Sequence, residues 1–156
     1  IEAFKKFKHP NKRLHVVGSK TSDNYFYEKK LQQENIIIYG HVDHLKLNDL
    51  INICHAYVLP SIEEGFAYTI WQVAAAGCPV IVTENTGAGD FVRRSNCGFV
   101  VPIRNINSIV DKLTLLADNK ILLKELSFNA QNYSKENKWE TYFKKLESII
   151  NEKIND

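Results

Sequence analysis

Methionine is absent from this 156-residue chain, and cysteine, proline and glycine are scarce, at three, four and seven residues. No apolar run approaches the roughly 20 residues that a membrane-spanning helix needs. The 20 basic residues nearly balance the 18 acidic ones, which leaves a formal net charge of +2. This balance gives no electrostatic case for binding to nucleic acid or to a membrane surface. We therefore predict no nucleic-acid partner.

Cysteine is too scarce and too scattered for a disulfide framework or a metal-ligand spacing. The three residues are Cys54, Cys78 and Cys97. Each lies in an apolar stretch, so we predict buried free thiols in a reducing compartment. The pair His41 and His44 has an H-x-x-H spacing, but only Asp43 accompanies it as a carboxylate. We predict no metal there.

Short apolar runs alternate with helix-forming stretches along the first two thirds of the chain. Strands are predicted over 14–17, 36–39, 56–59, 80–82 and 98–101. Continuously apolar strands separated by helices are typical of a parallel sheet buried on both faces. The predicted fold class is α/β, a Rossmann-like doubly wound parallel sheet in an α/β/α sandwich. Residues 1–156 are long enough for one domain with a sizeable core.

Helices are predicted between these strands and throughout the end of the chain. A polar helix is expected over 23–33, and apolar residues at helical spacing follow over 45–54. Asp90 is expected to cap a short helix after the turn at 86–89. Beyond Arg104 the pattern is helical in three stretches, 106–117, 121–132 and 139–154. These stretches predict extra C-terminal helices.

The most informative segment is 60–80, with the sequence PSIEEGFAYTIWQVAAAGCPV. A polar loop containing Glu63 and Glu64 separates a strand from a helix predicted to begin near Tyr68. Helix N-termini favour anions, phosphate above all, and carboxylates accept hydrogen bonds from hydroxyl groups. The segment therefore suits a phosphorylated sugar. The alternative is a solvated loop, because acidic residues often precede helices for dipole reasons alone.

Several residues near this loop are candidates for ligand contacts. Glu64 and Gln72 could face one pocket, from the loop and from about one turn into the helix. Gly65 permits either a close backbone approach or a positive φ. The predicted phosphate donors are the backbone N–H groups of Ala67, Tyr68 and Thr69.

Other candidates follow the ends of predicted strands. Gly18, Gly40 and Gly87 either let a ligand approach the backbone or make tight turns. His41 either hydrogen-bonds a base or ribose or lies in a surface loop. No G-x-G-x-x-G run follows the first strand, and no Ser-His-Asp or Cys-His constellation can be recognised.

Several stretches combine into a specific pattern, although each alone is weak. They are Val17-Gly18, Pro60-Ser61-x-x-Glu64-Gly65-Phe66, Gly77-x-Pro79-Val80-Ile81, Gly87 to Asp90 and Gly98 to Pro102. Together they resemble the signature of the retaining GT-B glycosyltransferases of family four (group 1), which carries Glu, seven residues and then Glu. The resemblance extends from Ile1 to about Tyr142.

The resemblance implies one half of a two-domain enzyme whose active site lies in the cleft between two Rossmann-like domains. Residues 1–156 would be the C-terminal nucleotide-sugar-binding domain, and the N-terminal acceptor domain would lie outside this chain. Glu64 is the implied catalytic residue, contacting hydroxyl groups of the donor sugar. The implied donor-binding residues are Gly65, Phe66, Ala67, Tyr68, Thr69, Gln72, Gly18 and His41.

The implied reaction transfers a sugar from a nucleotide-sugar donor to a glycan or lipid-linked acceptor with retention of configuration. It needs no cofactor and no obligatory metal, since the protein stabilises the departing diphosphate electrostatically. The implied location is cytoplasmic, peripheral at the inner membrane face through the other domain. The domain alone would be inactive.

The chain departs from the family pattern at two places. Ala67-Tyr68-Thr69 stands where the family usually has Gly-Leu-Pro, and Gln72 stands where it has the second Glu. The loss of that charge predicts weaker donor binding, on the order of 1 kcal/mol. The alternatives are a non-catalytic nucleotide-sugar-binding or scaffold relative, and a GT-B-like epimerase or phosphorylase.

Overall fold

A computed structural model describes residues 1–19, 35–65, 67–137 and 139–154. The elements are α1 (Glu2–Lys6), β1 (Leu14–Val17), β2 (Ile36–Gly40), α2 (His44–Ile53), β3 (Tyr57–Leu59), α3 (Thr69–Ala75), β4 (Val80–Thr83), α4 (Ala88–Ser95), β5 (Gly98–Val101), α5 (Ile106–Asp118), α6 (Lys120–Glu136) and α7 (Trp139–Ile154). The bounds of each predicted strand are confirmed to within one residue. The three predicted C-terminal helices are also present. The helix predicted over 23–33 lies outside the described residues.

The described strands all pair in parallel, as the predicted fold class requires. β1 pairs with β2, and β4 lies between β3 and β5. In the described part of the chain the five strands thus form two hydrogen-bonded groups, of two and three strands. Parallel strands need crossover connections, so helices α3 and α4 join the strands of the larger group.

Strand β4 is buried on both faces, and it organises the core. Val80 and Val82 are fully buried in a cluster with residues of α3, α4 and α6. Ile81 points the other way, into a cluster with residues of α1, α5 and α6. Successive side chains of a strand alternate between the faces of a sheet, so a wholly apolar strand needs cover on both sides. This arrangement confirms the predicted α/β fold class.

The prediction that Asp90 caps helix α4 is wrong. The helix begins at Ala88 after Gly87, and Asp90 lies in its first turn. Its carboxylate accepts a hydrogen bond from Arg93 Nη1 at 3.0 Å, one turn further along. An acidic residue in the first turn is also favoured by the helix dipole, so the sequence pattern does not distinguish the two positions.

The three cysteines are free, as predicted, and the core holds two of them completely. Cys78 and Cys97 are buried, whereas Cys54 is half-buried. Burial, together with smaller electrostatic effects of Cys54 and Cys97, raises the pKa of the Cys78 thiol to about 12. Cys78 is therefore a neutral thiol at physiological pH and packs as a small apolar side chain.

We expect the alanine substitution at Gly98 to disrupt the larger sheet. A Cβ atom at this position would lie 1.9 Å from the carbonyl oxygen of Val80, a backbone atom that cannot move without breaking the β4–β5 pairing. Gly98→Ala should lower the free energy of unfolding in urea by about 3 kcal/mol. Gly65→Ala is the matched control, because nothing lies within 4 Å of its added Cβ. Equal stability of the two variants would contradict the described approach of β5 to β4.

The buried Cys78 thiol predicts a specific loss of stability at alkaline pH. Its pKa rises from 9.0 in the unfolded chain to about 12 in the folded one. The native state then binds the proton more tightly, so this contribution is complete below pH 9 and falls as pH rises toward 12. The slope approaches about 1.4 kcal/mol per pH unit. Urea titrations from pH 8.5 to 10.5 should show a steeper decline for the wild type than for Cys78→Ala; equal slopes would refute the assignment.

Candidate functional site

The loops after β3 and β4 are joined at the carboxyl edge of the larger sheet. The Thr83 hydroxyl, at the end of β4, donates to the carbonyl oxygen of Ser61, and the carbonyl oxygen of Leu59 lies 3.4 Å from it. The Thr86 hydroxyl donates in turn to Thr83 O at 2.8 Å. Thr83 and Thr86 are both buried. The Thr83 hydroxyl therefore fixes the start of the loop over 60–68, called the signature loop below, to the end of β4, and the Thr86 hydroxyl holds the turn after β4.

The backbone at Glu64 is held by the turn that follows β4. Glu64 and Thr86 form an isolated parallel bridge. The Glu64 N–H donates to Asn85 O at 3.3 Å, and the Gly87 N–H lies 3.3 Å from Glu64 O and 2.8 Å from Gly65 O. The side chain of Glu64 is nevertheless exposed. The structure thus presents a carboxylate to solvent from a fixed backbone at the carboxyl ends of parallel strands, where α/β folds bind ligands.

Two of the predicted site glycines border open space. A Cβ atom added to Gly65 would meet nothing within 4 Å. The φ angle of Gly65 lies outside the left-handed range, so the prediction of a positive φ is wrong. The alternative, that a ligand approaches the backbone closely here, remains. Gly18 also faces open space and has a φ of +148°. Its N–H donates to Gly40 O at 2.9 Å, which joins the ends of β1 and β2. Glycine at position 18 is required by the backbone conformation.

Helix α3 begins at Thr69, close to the predicted start at Tyr68. The Thr69 hydroxyl lies 3.0 Å from the hydroxyl of Tyr57, the first residue of β3. Burial raises the pKa of Tyr57; the negative charge of Glu64 adds to this rise, and the hydrogen bond with Thr69 opposes it. The fold therefore brings the hydroxyl groups of Tyr57 and Thr69 into contact. Sequence analysis did not select Tyr57, since it lies in an apolar run.

The remaining signature residues lie along α3 and before it. Ala67 is half-buried and Tyr68 exposed, and their carbonyl oxygens accept from the N–H groups of Ile70 and Trp71. Gln72 is half-buried and follows Thr69 by three residues, which places both on the same face of the helix. The common pocket for Gln72 and Glu64 stays a prediction. Phe66 lies outside the described residues.

An aromatic cluster anchors α3 to the helices beside it. Trp71 contacts the edge of Phe91 in α4, with ring centroids 4.7 Å apart, and stacks on Tyr133 in α6 at 6.1 Å. Phe91 and Tyr133 meet edge to face at 5.1 Å. Such pairs add to the stability that burial provides, by about 0.5–1.5 kcal/mol each. The helix that carries Gln72 is therefore held from two sides.

His41 lies at the carboxyl end of β2, in the two-stranded group. It is exposed and follows β2 directly. The neighbouring Asp43 carboxylate accepts from Lys46 N at 2.8 Å and so caps α2. Among the residues that the structure describes, no group of three His, Cys, Asp or Glu side chains could hold a metal ion. The role of His41 toward a base or ribose stays a prediction.

A cavity of about 430 Å³ lies beyond β5. Lys6 and the segment from Pro102 to Asn107 line it, and none of the predicted site residues that the structure describes does. The Ile103 N–H donates to Glu84 Oε1 at 3.4 Å, so this segment borders the turn after β4. The cavity is therefore distinct from the predicted donor site around Glu64, which stays a prediction.

Residues 1–133 match the family model of the glycosyl transferases group 1. This match covers most of the chain. The chain belongs to that family. The resemblance noted from the sequence is thereby confirmed.

Similarity to individual proteins agrees with membership in the group 1 family. The chain is 29% identical over 148 residues to the capsular polysaccharide biosynthesis glycosyltransferase CapM of Staphylococcus aureus, covering 90% of this chain and 38% of CapM. It is 33% identical over 78 residues to the Escherichia coli UDP-Gal:alpha-D-GlcNAc-diphosphoundecaprenol alpha-1,3-galactosyltransferase, covering 48% of this chain and 20% of that enzyme. A glycosyltransferase from Rickettsia africae has a similar fold, with a TM-score of 0.80, 24% identity, and coverage of 97% of this chain and 42% of that one.

This group 1 chain thus spans well under half the length of the relatives to which it is similar. Within the described ranges, no helix combines the length and the apolar character that a bilayer crossing requires.

Proposed function

We propose that this chain is the donor-binding half of a glycosyltransferase that transfers a sugar from a nucleotide-sugar to a glycan or lipid-linked acceptor with retention of configuration. The observation that carries the proposal is the fixed backbone at Glu64 in a chain of the group 1 family. By their names, one relative builds capsular polysaccharide and another uses UDP-Gal with a diphosphoundecaprenol-linked acceptor. These names support a nucleotide-sugar donor and a polysaccharide or lipid-linked product.

Glu64 is the proposed catalytic residue. Its carboxylate is exposed, while hydrogen bonds to Asn85 and Gly87 fix its backbone. Two acceptor oxygens can receive hydrogen bonds from the hydroxyl groups of a donor sugar. A backbone that is already in place holds the sugar without an ordering cost at the moment of reaction.

The diphosphate of the donor would lie between Gly65 and the start of α3. Gly65 has no side chain to obstruct it and faces open space. The proposed donors of hydrogen bonds are the N–H groups of the signature loop, Ala67, Tyr68 and Thr69, with Phe66 beside them. Donors aimed at the departing diphosphate stabilise the charge that develops on it, which is why no obligatory metal is proposed.

Gln72, Gly18 and His41 would complete the contacts with the nucleotide. Gln72 would accept a hydrogen bond from one ribose hydroxyl and donate to the other. Gly18 lets the ligand approach the end of β1, and His41 would contact the base or ribose. A neutral amide forms weaker hydrogen bonds than a carboxylate does. Donor binding would therefore be about 1 kcal/mol weaker than with the glutamate of the family pattern at this position.

The acceptor would bind to a second, N-terminal domain of the same protein, which faces this carboxyl edge. This proposal follows from the length of the relatives, since the chain spans 38% of CapM. The proposed location is cytoplasmic and peripheral to the inner membrane face through that domain. The 156 residues alone would bind donor poorly and would not catalyse transfer.

A non-catalytic nucleotide-sugar-binding relative is the second candidate. The observation that favours it is Gln72 at the position of the second acidic residue of the family pattern. Both candidates bind a nucleotide diphosphate, but only the first one turns over a nucleotide-sugar. An assay of turnover therefore decides between them.

We expect Glu64→Gln to abolish most of the transferase activity and to spare nucleotide binding. The isosteric amide removes the negative charge beside the donor sugar, and turnover should fall by about 100-fold or more. The assay uses the protein expressed with any sequence that flanks these residues, UDP-sugars as donors, and calorimetry with UDP. Glu63→Gln is the matched control, because the adjacent exposed carboxylate lacks the bridge to Thr86. Unchanged turnover in Glu64→Gln would refute the catalytic role.

We expect Gln72→Glu to tighten the binding of UDP. A charge-assisted hydrogen bond to the ribose should gain about 1 kcal/mol, which is roughly fivefold in affinity. The gain should disappear with 2′,3′-dideoxyuridine diphosphate, which lacks the ribose hydroxyl groups. Equal affinities of wild type and variant for UDP would exclude a ribose role for residue 72.

A further inference from the structure

The cavity beyond β5 is lined by residues of two separate parts of the chain. Lys6 ends helix α1, and the segment from Pro102 to Asn107 leads from β5 into α5. The volume of about 430 Å³ lies within the range of roughly 300–1,000 Å³ that is typical of small-molecule sites. The cavity is therefore large enough for a compact ligand such as a monosaccharide, and none of the described donor-site residues lines it.

The charged side chains of this cavity are both positive. Lys6 and Arg104 are exposed, and the described lining holds no acidic side chain. Within the described ranges, neither cation forms an ion pair. Ile106 and Asn107, in the first turn of α5, also line the cavity, so the helix dipole adds to the positive potential there. Two cations from different elements, without an acidic partner, are suited to hold one anion between them.

Arg104 occupies a backbone conformation that arginine rarely adopts. Its φ is +55°, in the left-handed region that favours glycine and asparagine. The backbone on both sides of Arg104 is held in place. Before it, the Ile103 N–H donates to Glu84 Oε1 at 3.4 Å. After it, the Asn105 side chain accepts from Ser108 N at 3.0 Å and caps α5. The fold therefore keeps an arginine in the cavity lining at a conformational cost that another residue type would avoid.

The uncharged part of the lining suits a sugar. Asn105 and Asn107 carry amide groups, which donate hydrogen bonds to hydroxyl groups and accept from them. Pro102, Ile103 and Ile106 supply apolar surface against which the C–H face of a sugar ring can pack. Cations, amide groups and apolar side chains together match the phosphate, the hydroxyl groups and the ring of a phosphorylated sugar.

We propose that this cavity is a second ligand site, in which Lys6 and Arg104 hold the phosphate group of a phosphorylated sugar. The site goes beyond the proposed donor function, because its described lining shares no residue with the donor site. It lies on the same carboxyl edge of the larger sheet as Glu64, since its main segment follows β5 and contacts the turn after β4. A free sugar phosphate and the phosphorylated sugar of a lipid-linked acceptor both have the required chemistry.

The test is calorimetry with three sugars on the protein expressed with any sequence that flanks these residues. We expect glucose 6-phosphate or N-acetylglucosamine 1-phosphate to bind at least about tenfold more tightly than glucose, which lacks the charge. A preference for the 6-phosphate would identify a free sugar phosphate as the ligand. A preference for the 1-phosphate, which carries its phosphate as a lipid-linked sugar does, would identify the acceptor. Glucose binding as tightly as both phosphates, or no binding of either phosphate, would overturn the inference.

Arg104→Asn separates a loss of binding from a loss of folding. Asparagine tolerates the left-handed conformation, so the unfolding midpoint should not fall below that of wild type. The affinity for the tighter sugar phosphate should nevertheless fall about tenfold, because a charge-assisted contact is lost. Lys6→Gln should lower the affinity about fivefold through the loss of a single charge.

The matched control is Arg94→Gln. Arg94 is an exposed arginine of α4 that does not line the cavity, and its substitution removes the same charge as Arg104→Asn. The affinity for the sugar phosphate should stay at the wild-type value. Equal losses in Arg94→Gln and Arg104→Asn would show a general effect of net charge and would overturn the assignment to the cavity.

Competition with a nucleoside diphosphate separates this inference from the proposed function. A saturating concentration of UDP, GDP or ADP should not displace the sugar phosphate, and displacement would show that both ligands share the donor site, which overturns the inference. A wild type that binds the sugar phosphate but none of the three nucleotides would reject the proposed function and leave this inference intact. The reverse result would reject this inference alone.

Discussion

The burial of β4 on both of its faces is the constraint on which the rest of the structure depends. Its apolar side chains alternate between two clusters, each covered by helices. β5 approaches so closely that the carbonyl oxygen of Val80 leaves no room for a side chain at position 98. Because β4 is held in this way, the residues at its carboxyl end have a fixed place, and the neighbouring loops can be built on them.

Buried polar residues at the carboxyl end of β4 fix the backbone of the loops at the surface. Thr83 and Thr86 are buried, yet each satisfies its hydroxyl group with a backbone carbonyl oxygen. A buried hydroxyl without a partner would cost free energy, so these residues favour one arrangement of the loops that they bridge. The result is a fixed backbone at Glu64 that carries an exposed carboxylate side chain, which suits an acceptor of hydrogen bonds from a sugar.

Helix α3 owes its position less to its own length than to what surrounds it. With seven residues it is short for an isolated helix, since most helical stability in proteins comes from tertiary packing. Trp71 packs against Phe91 and Tyr133 of the neighbouring helices. The hydroxyl of Tyr57 forms a hydrogen bond with Thr69, the first residue of the helix. Both ends of the proposed donor site, the loop and the helix face of Gln72, are therefore set by contacts with other elements.

The sequence by itself determined the secondary structure, the fold class and the family. Continuous apolar strands between helices allow few arrangements, and the spacing from Glu64 to Gln72 is local information. Local pattern did not separate a cap from a first-turn residue at Asp90, since both positions favour carboxylates. Only the tertiary structure decided that Thr86 fixes Glu64 and that Tyr57 meets Thr69. Those contacts join residues far apart in the chain, and a threonine or tyrosine in an apolar run carries no sign of its partner.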